Sequence, residues 1–236
     1  MKKLFIAASA LLLSSAAFAQ TTTTTNTMSS STSRFGLKAG VNLATYSGKG
    51  AYSNLDYKQN VGFNVTAFGD FGVGNNFFIQ PGVSLQNKGA KLESTTTVGG
   101  STVTGSVKQN VMALEVPVNA VVRIPTGDAG AVQISAGPYI GFNISGKNKY
   151  EGTYTVPGAT GSSLTDRDLE FGSETNKDLS SLDFGANFGL AYRTNSGFLI
   201  GANYGLGLSN LVPKDSRSGD DKLNNRVWAF SLGYSF

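Results

Sequence analysis

The sequence predicts an all-β protein, an antiparallel up-and-down transmembrane β-barrel of about eight strands. Three observations support this fold class. The N-terminus has the pattern of a secretory signal, eight later segments alternate between apolar and small or polar residues, and no apolar run after the signal approaches the roughly 18 residues that a spanning helix needs. Such a chain can cross a membrane only with strands, because backbone polar groups in lipid must be paired within the protein.

The first 19 residues predict a cleaved signal peptide. Lys2 and Lys3 precede an apolar run at residues 4–17, and a small-x-small triplet ends at Ala19. That order is typical of export followed by cleavage, here after Ala19. The alternative is a transmembrane helix, which is disfavoured because the run is short and interrupted by serines. We therefore expect a mature protein outside the cytoplasm.

Residues 20–33 form a Thr/Ser-rich tract with almost no apolar content, which predicts a flexible leader. The barrel is expected over residues 34–236. The chain has no Cys, so we expect neither a lipid anchor nor disulfides. Its charged fraction is 14% and its net charge is +4, which gives no electrostatic case for binding nucleic acid.

Alternation with a period of two residues marks the predicted strands. In the first segment Phe35 and Leu37 share one face, while Gly36 and Lys38 share the other. Every later segment repeats this contrast between a large apolar face and a face of Gly, Asn, Ser and Gln with a few charges. The segments lie at residues 35–43, 61–67, 77–86, 114–123, 132–144, 182–193, 198–207 and 228–236. Segments of about ten residues suit tilted strands that cross a bilayer.

The connections between the segments alternate in length. Short turns are predicted at residues 72–76, 124–130 and 194–197, and longer polar loops at 47–57, 93–106, 146–180 and 211–225. Short periplasmic turns with long external loops are the arrangement of outer-membrane barrels, with both termini on the periplasmic side. The outer membrane is therefore the expected location.

A water-soluble barrel is the structural alternative. It would place large apolar side chains inside, whereas the second face here is small and polar, so the apolar face needs lipid to cover it. Aromatic residues near the predicted strand ends also favour the membrane barrel, since an interfacial girdle belongs there. They are Phe35, Tyr46, Phe71, Phe77, Tyr192, Phe198 and Trp228.

Five short motifs extend along the barrel region: FFIQPGVSLQNKGAK (77–91), LEVPVNAVVR (114–123), AGPYIGFNISGK (136–147), Asp183-Phe184-Gly185, and Leu232-Gly233-Tyr234-Ser235-Phe236. In these motifs the chain resembles the PorT-like outer-membrane β-barrel family. The resemblance implies a porin-like barrel in the outer membrane, and the family's namesake is associated with a secretion and gliding apparatus. A last strand that ends in Phe236 is similar to the signal read by the outer-membrane assembly machinery, which implies a client of that machinery.

The sequence contains no His and no Cys. This removes the usual triads, thiol nucleophiles and zinc sites, so we expect no enzyme, no cofactor and no metal site. A hydrolase that uses only Asp and Glu stays formally open, but no paired carboxylates stand at a spacing that suggests one. Acidic stretches at residues 166–170 and 220–222 match no calcium-loop pattern, so solvated loop charge is the favoured interpretation.

Seven charged residues fall on the predicted inner face: Lys38, Asp70, Lys88, Glu115, Arg123, Asp183 and Arg193. We expect opposite charges to pair across the lumen, because an unpaired charge in a narrow interior is costly. The alternative is a selectivity ring in a pore. By strand direction, four of the seven should lie toward the periplasmic end, namely Lys38, Asp70, Arg123 and Arg193.

Two functions stay open from the sequence. The first is a structural or interaction barrel with a plugged lumen, which is favoured because Phe68, Phe78, Tyr139 and Leu199 fall on the inner face. The second is a narrow passive porin-like channel for ions or small solutes. For either function the expected partners are outer-membrane lipid, the assembly machinery and an envelope protein that binds the long external loops.

Overall fold

The computed structural model describes residues 33–156 and 158–236. The predicted signal peptide, and the predicted leader apart from Ser33, lie outside the described residues. Ten strands are present in the described part: β1 (Arg34–Lys49), β2 (Tyr57–Gly74), β3 (Phe77–Lys88), β4 (Ala90–Val98), β5 (Ser101–Pro125), β6 (Gly130–Val156), β7 (Ala159–Asp168), β8 (Leu182–Thr194), β9 (Phe198–Gly207) and β10 (Lys222–Ser235). Among these residues no helix is long and apolar enough to cross a membrane.

Eight of these strands close into an antiparallel ring. The order around the ring is β1, β2, β3, β5, β6, β8, β9 and β10, and β10 pairs again with β1. The closing ladder runs from Gly36 opposite Ser235 to Lys49 opposite Lys222. Closure leaves no unpaired edge at membrane depth, which lipid requires. The predicted all-β barrel of about eight strands is therefore confirmed.

The two faces of the ring have the chemistry that the alternation predicted. Outward side chains are apolar and exposed, as in Phe63 (45%) and Leu190 (59%). Inward side chains are mostly small or polar and buried, as in Asn64 (2%) and Asp183 (0%). An exposed apolar band around a closed barrel fits a lipid environment.

The two ends of the ring differ. Short connections follow β2, β5 and β8. They lie at the same end of the barrel as Arg34, where β1 begins, and Ser235, where β10 ends. We call this the turn end, and the opposite end, where the longer connections lie, the loop end. In the usual orientation of such barrels the turn end faces the periplasm.

Two of the predicted long loops are wrong in part, because they form strands. The predicted loop at 93–106 is the β4–β5 hairpin, and much of the predicted loop at 146–180 is the end of β6 and all of β7. The strands pair in the order β4, β5, β6 and β7 and extend beyond the ring as a sheet, which we call the external sheet. Outside lipid both faces of a sheet meet water, so the alternation that marks a membrane strand is lost.

A small apolar cluster lies at the loop end. Leu169, Leu179, Leu211 and Val212 come from connections between strands, are at most 7% exposed, and form what we call the apolar lid. The lid packs with Tyr46, which was predicted in the outer girdle but lies buried on the inner side, where its hydroxyl donates to Gln109 at 2.7 Å. The girdle prediction is therefore wrong for this residue: Tyr46 shares the phase of the inner face, opposite to that of Phe35.

Candidate functional site

The lumen holds all seven predicted inner charges, and six of them gather in two groups. The loop-end cluster consists of Lys88, Glu115 and Asp183. The turn-end cluster consists of Asp70, Arg123 and Arg193. The seventh residue, Lys38, joins neither group.

In the loop-end cluster Lys88 lies between two carboxylates. Its ammonium contacts Glu115 of the neighbouring strand β5 and lies 3.0 Å from Asp183 Oδ2 of β8. Strands β3 and β8 are three steps apart around the ring, so the second contact crosses the lumen. The ammonium also lies 4.8 Å from the centroid of the Tyr139 ring, which adds a cation–π contact.

Asp183 is fully buried, and its carboxylate is surrounded by donors. Besides Lys88 it accepts hydrogen bonds from Ser209 Oγ at 2.6 Å, from Asn225 Nδ2 at 2.7 Å and from Tyr139 OH at 3.3 Å. A carboxylate with several donors is stabilised in its charged form. Sequence reasoning missed Ser209 and Asn225, because both lie in or beside a connection that was predicted as an external loop.

In the turn-end cluster one carboxylate interacts with two arginines. Asp70 accepts from Arg123 Nη2 at 2.9 Å and from Gln80 Nε2 at 2.7 Å, while Arg193 Nη1 lies 3.7 Å away. Asp70 on β2 and Arg193 on β8 stand on opposite sides of the ring. The Arg123 guanidinium also stacks on Phe78, with its central carbon 3.8 Å from the ring centroid. The cluster therefore fills the lumen near the turn end.

Two small spaces lie along the lumen. One, of about 50 Å³, is lined by polar side chains such as Asn119 and by Tyr139, and the other, of about 30 Å³, lies beside Phe68 and Leu199. A cavity needs roughly 10–15 Å³ to hold one water, so each space holds a few waters at most. Lys38 borders both spaces.

Bulky inner aromatics fit because glycines stand opposite them. Tyr139 faces Gly185 across the β6–β8 ladder, and Phe68 faces Gly36 across the β1–β2 ladder. A Cβ on Gly185 would lie 2.7 Å from Tyr139 Cε1 and nearer still to the carbonyl oxygen of Leu206. Tyr139 can therefore lie across the lumen only because Gly185 has no side chain.

We expect Gly185→Ala to lower the free energy of unfolding by about 1–3 kcal/mol, because the methyl group would clash with the backbone carbonyl oxygen of Leu206 and with the Tyr139 ring. Urea unfolding of the refolded barrel, followed by tryptophan fluorescence, measures the change. Gly105→Ala in the external sheet is the matched control, since a Cβ there meets nothing within 4 Å. Equal effects of the two substitutions would contradict the packing argument.

The acidic stretch at residues 166–170 forms ion pairs. Lys177 lies 3.0 Å from Glu170, and this hydrogen bond raises the pKa of Lys177. Arg167 contacts Asp178 in the same way. Within the described residues no group of three or more His, Cys, Asp or Glu side chains is arranged to hold a metal ion.

Comparison with known proteins points to one family. The profile of the family described as outer membrane protein beta-barrel domain matches residues 18–212, which is most of the chain. No curated protein matches the chain significantly.

Solved structures of outer-membrane barrels align with the chain at low identity. Ail, the attachment invasion locus protein of Yersinia pestis, aligns with 14% identity and a TM-score of 0.37 over 86% of this chain and 99% of its own. OprG of Pseudomonas aeruginosa aligns with 12% identity and a TM-score of 0.37 over 89% of this chain and 99% of its own. The neisserial surface protein NspA has 12% identity and a TM-score of 0.35, over 85% and 95% of the two chains. On the family match and the closed ring, the chain belongs to the outer membrane β-barrel domain family.

Proposed function

We propose that this outer-membrane barrel is non-enzymatic and non-conducting, and that its role is structural or lies in binding an envelope protein through its external sheet. The observation that carries the proposal is the filling of the lumen at three levels. The turn-end cluster, the loop-end cluster and the apolar lid follow one another along the barrel axis. An eight-stranded barrel has an interior just wide enough for side chains, and here they occupy it.

The external sheet supports the interaction role. Strand β7 is at the end of the sheet order, so in the described part of the chain its outer edge pairs with no further strand. The sheet also exposes apolar side chains, with Val103 at 56%, Tyr154 at 52% and Leu164 at 68%. Unpaired edges and exposed apolar groups are features that partner proteins use.

We further propose that the chain is exported, lies in the outer membrane and is assembled there as a PorT-like barrel. The chain resembles PorT-like proteins, and export would require cleavage after Ala19. The apolar band would be covered by outer-membrane lipid. Phe236, which is 70% exposed on the outer face, would be read by the assembly machinery.

Single-channel recording in a planar bilayer tests the proposal. We expect refolded protein to give no discrete openings, because we propose that the side chains of the two ion-paired clusters block the lumen. Heat-modifiable gel migration shows that the barrel has folded, and a conducting porin in the same bilayer controls for sensitivity.

The alternative is a narrow passive channel for ions or small solutes, and the polar walls of the two small cavities favour it. Reproducible openings from folded protein would overturn the non-conducting proposal. The seven inner charges would then be candidates for ion selectivity.

A further inference from the structure

The inner wall carries unequal charge in its two halves. In the loop-end half Lys88 faces two carboxylates, Glu115 and Asp183. In the turn-end half, among the residues that the structure describes, one side-chain carboxylate of the inner wall, that of Asp70, faces four cationic side chains. They are Arg34, Lys38, Arg123 and Arg193.

Arg34 belongs to this half by its register. It stands directly opposite Asp70 in the β1–β2 ladder, and directly opposed residues share a face of the sheet. The sequence analysis did not assign Arg34 to the inner face. At the turn-end mouth its charge attracts anions toward the lumen.

The single carboxylate is already shared. Asp70 accepts hydrogen bonds from Arg123 and Gln80, and Arg193 reaches it only at 3.7 Å. Nη1 of Arg193 is buried and finds no hydrogen-bond partner among the described residues. Excess positive charge in a narrow interior is costly unless an anion balances it.

Lys38 provides the place for such an anion. Within the described residues no carboxylate lies within 4 Å of its ammonium, which stands 5.8 Å from the centroid of the Phe68 ring. Phe68 lines the cavity of about 30 Å³, and the amide side chain of Asn203 lines it too. Amide N–H groups and an ammonium are the donors that a small anion needs.

We propose that the turn-end half of the lumen binds a small inorganic anion of the size of chloride, in the cavity beside Lys38. The cavity holds the equivalent of about two or three waters, which suits a halide and excludes larger organic anions. The anion supplies the negative charge that Asp70 alone does not provide. The site is independent of whether the lumen conducts.

Bromide is the direct probe, because it replaces chloride and scatters anomalously. Crystals of the refolded full barrel grown in sodium bromide are expected to show one anomalous peak in the lumen, within hydrogen-bond distance of Lys38 Nζ. An ordered lumen without such a peak overturns the proposal.

Thermal unfolding gives a second test in solution. At constant ionic strength, which holds screening fixed, chloride or bromide is expected to raise the Tm of wild-type protein above its value in gluconate by on the order of 3 °C, with saturation. Lys38→Met is expected to abolish this difference and to fold without the anion.

Lys91→Met is the matched control, since Lys91 lies outside the lumen in an ion pair with Glu93. This variant should keep the full response to halides. A halide response in Lys38→Met equal to that of the wild type, or no response in the wild type, would show that the cavity holds water only.

Discussion

Lys88→Met is expected to lower the free energy of unfolding by about 3–5 kcal/mol, the largest effect of any single substitution in the loop-end half of the lumen. The substitution removes one cation and leaves the buried carboxylates of Glu115 and Asp183 facing each other without a counter-charge. Breaking a buried ion pair by removing one partner typically has a cost of this size. Urea unfolding of the refolded barrel in lipid vesicles measures it.

Two variants separate the charge effect from the loss of a long side chain. Lys91→Met removes a half-exposed lysine that pairs with Glu93, so its effect should stay within about 1 kcal/mol. Adding Glu115→Gln to Lys88→Met removes one uncompensated carboxylate and should restore part of the stability. If Lys88→Met were as stable as wild type, the buried ion pairs of the loop-end cluster would contribute nothing to the stability of the barrel.

The fold could be predicted from sequence because lipid imposes a rule on every membrane strand. A lipid-facing position must be apolar, so Phe63 and Val65 on one face and Asn64 and Thr66 on the other are enough to identify a strand and assign its faces. The rule applies only to residues within the bilayer, so it does not mark strands that extend beyond it. Strands β4 and β7 were therefore missed, although the threonines of 95–97 favour strands by propensity.

The membership of the inner face could also be predicted, but the contacts within it could not. Alternation assigns Lys88 and Asp183 to the lumen, yet their 3.0 Å contact depends on the stagger of β3 against β8, which no local pattern encodes. The hydrogen bond from Ser209 to Asp183 depends in addition on how the connection after β9 folds back over the barrel. Long-range register decides both contacts.

The same limit applies to the loop end. Leu211 and Val212 are isolated apolar residues within a polar stretch, and nothing in their spacing indicates burial. They are 1% exposed because they meet Leu169 and Leu179, which are distant in sequence. A lid assembled from separate connections gives no periodic signal.

Asp70→Asn is expected to destabilise the barrel by about 3–5 kcal/mol as well, for the opposite electrostatic reason. The amide keeps the size of the side chain but leaves Arg123 and Arg193 without the only carboxylate of the turn-end cluster. Urea unfolding gives the magnitude. Asp56→Asn is the matched control, because Asp56 pairs with Lys58 on the surface with its side chain 74% exposed, and should change stability by less than about 1 kcal/mol.

A second substitution, at Arg193, tests the contact across the lumen, because Arg193 stands across the ring from Asp70. Adding Arg193→Met to Asp70→Asn removes one of the two uncompensated arginines, so the double variant should recover part of the lost stability. Strict additivity of the two substitutions would mean that Asp70 and Arg193 do not interact across the lumen at 3.7 Å. Recovery would instead indicate that charge balance, and not the individual hydrogen bonds of Asp70, governs the stability of the turn end.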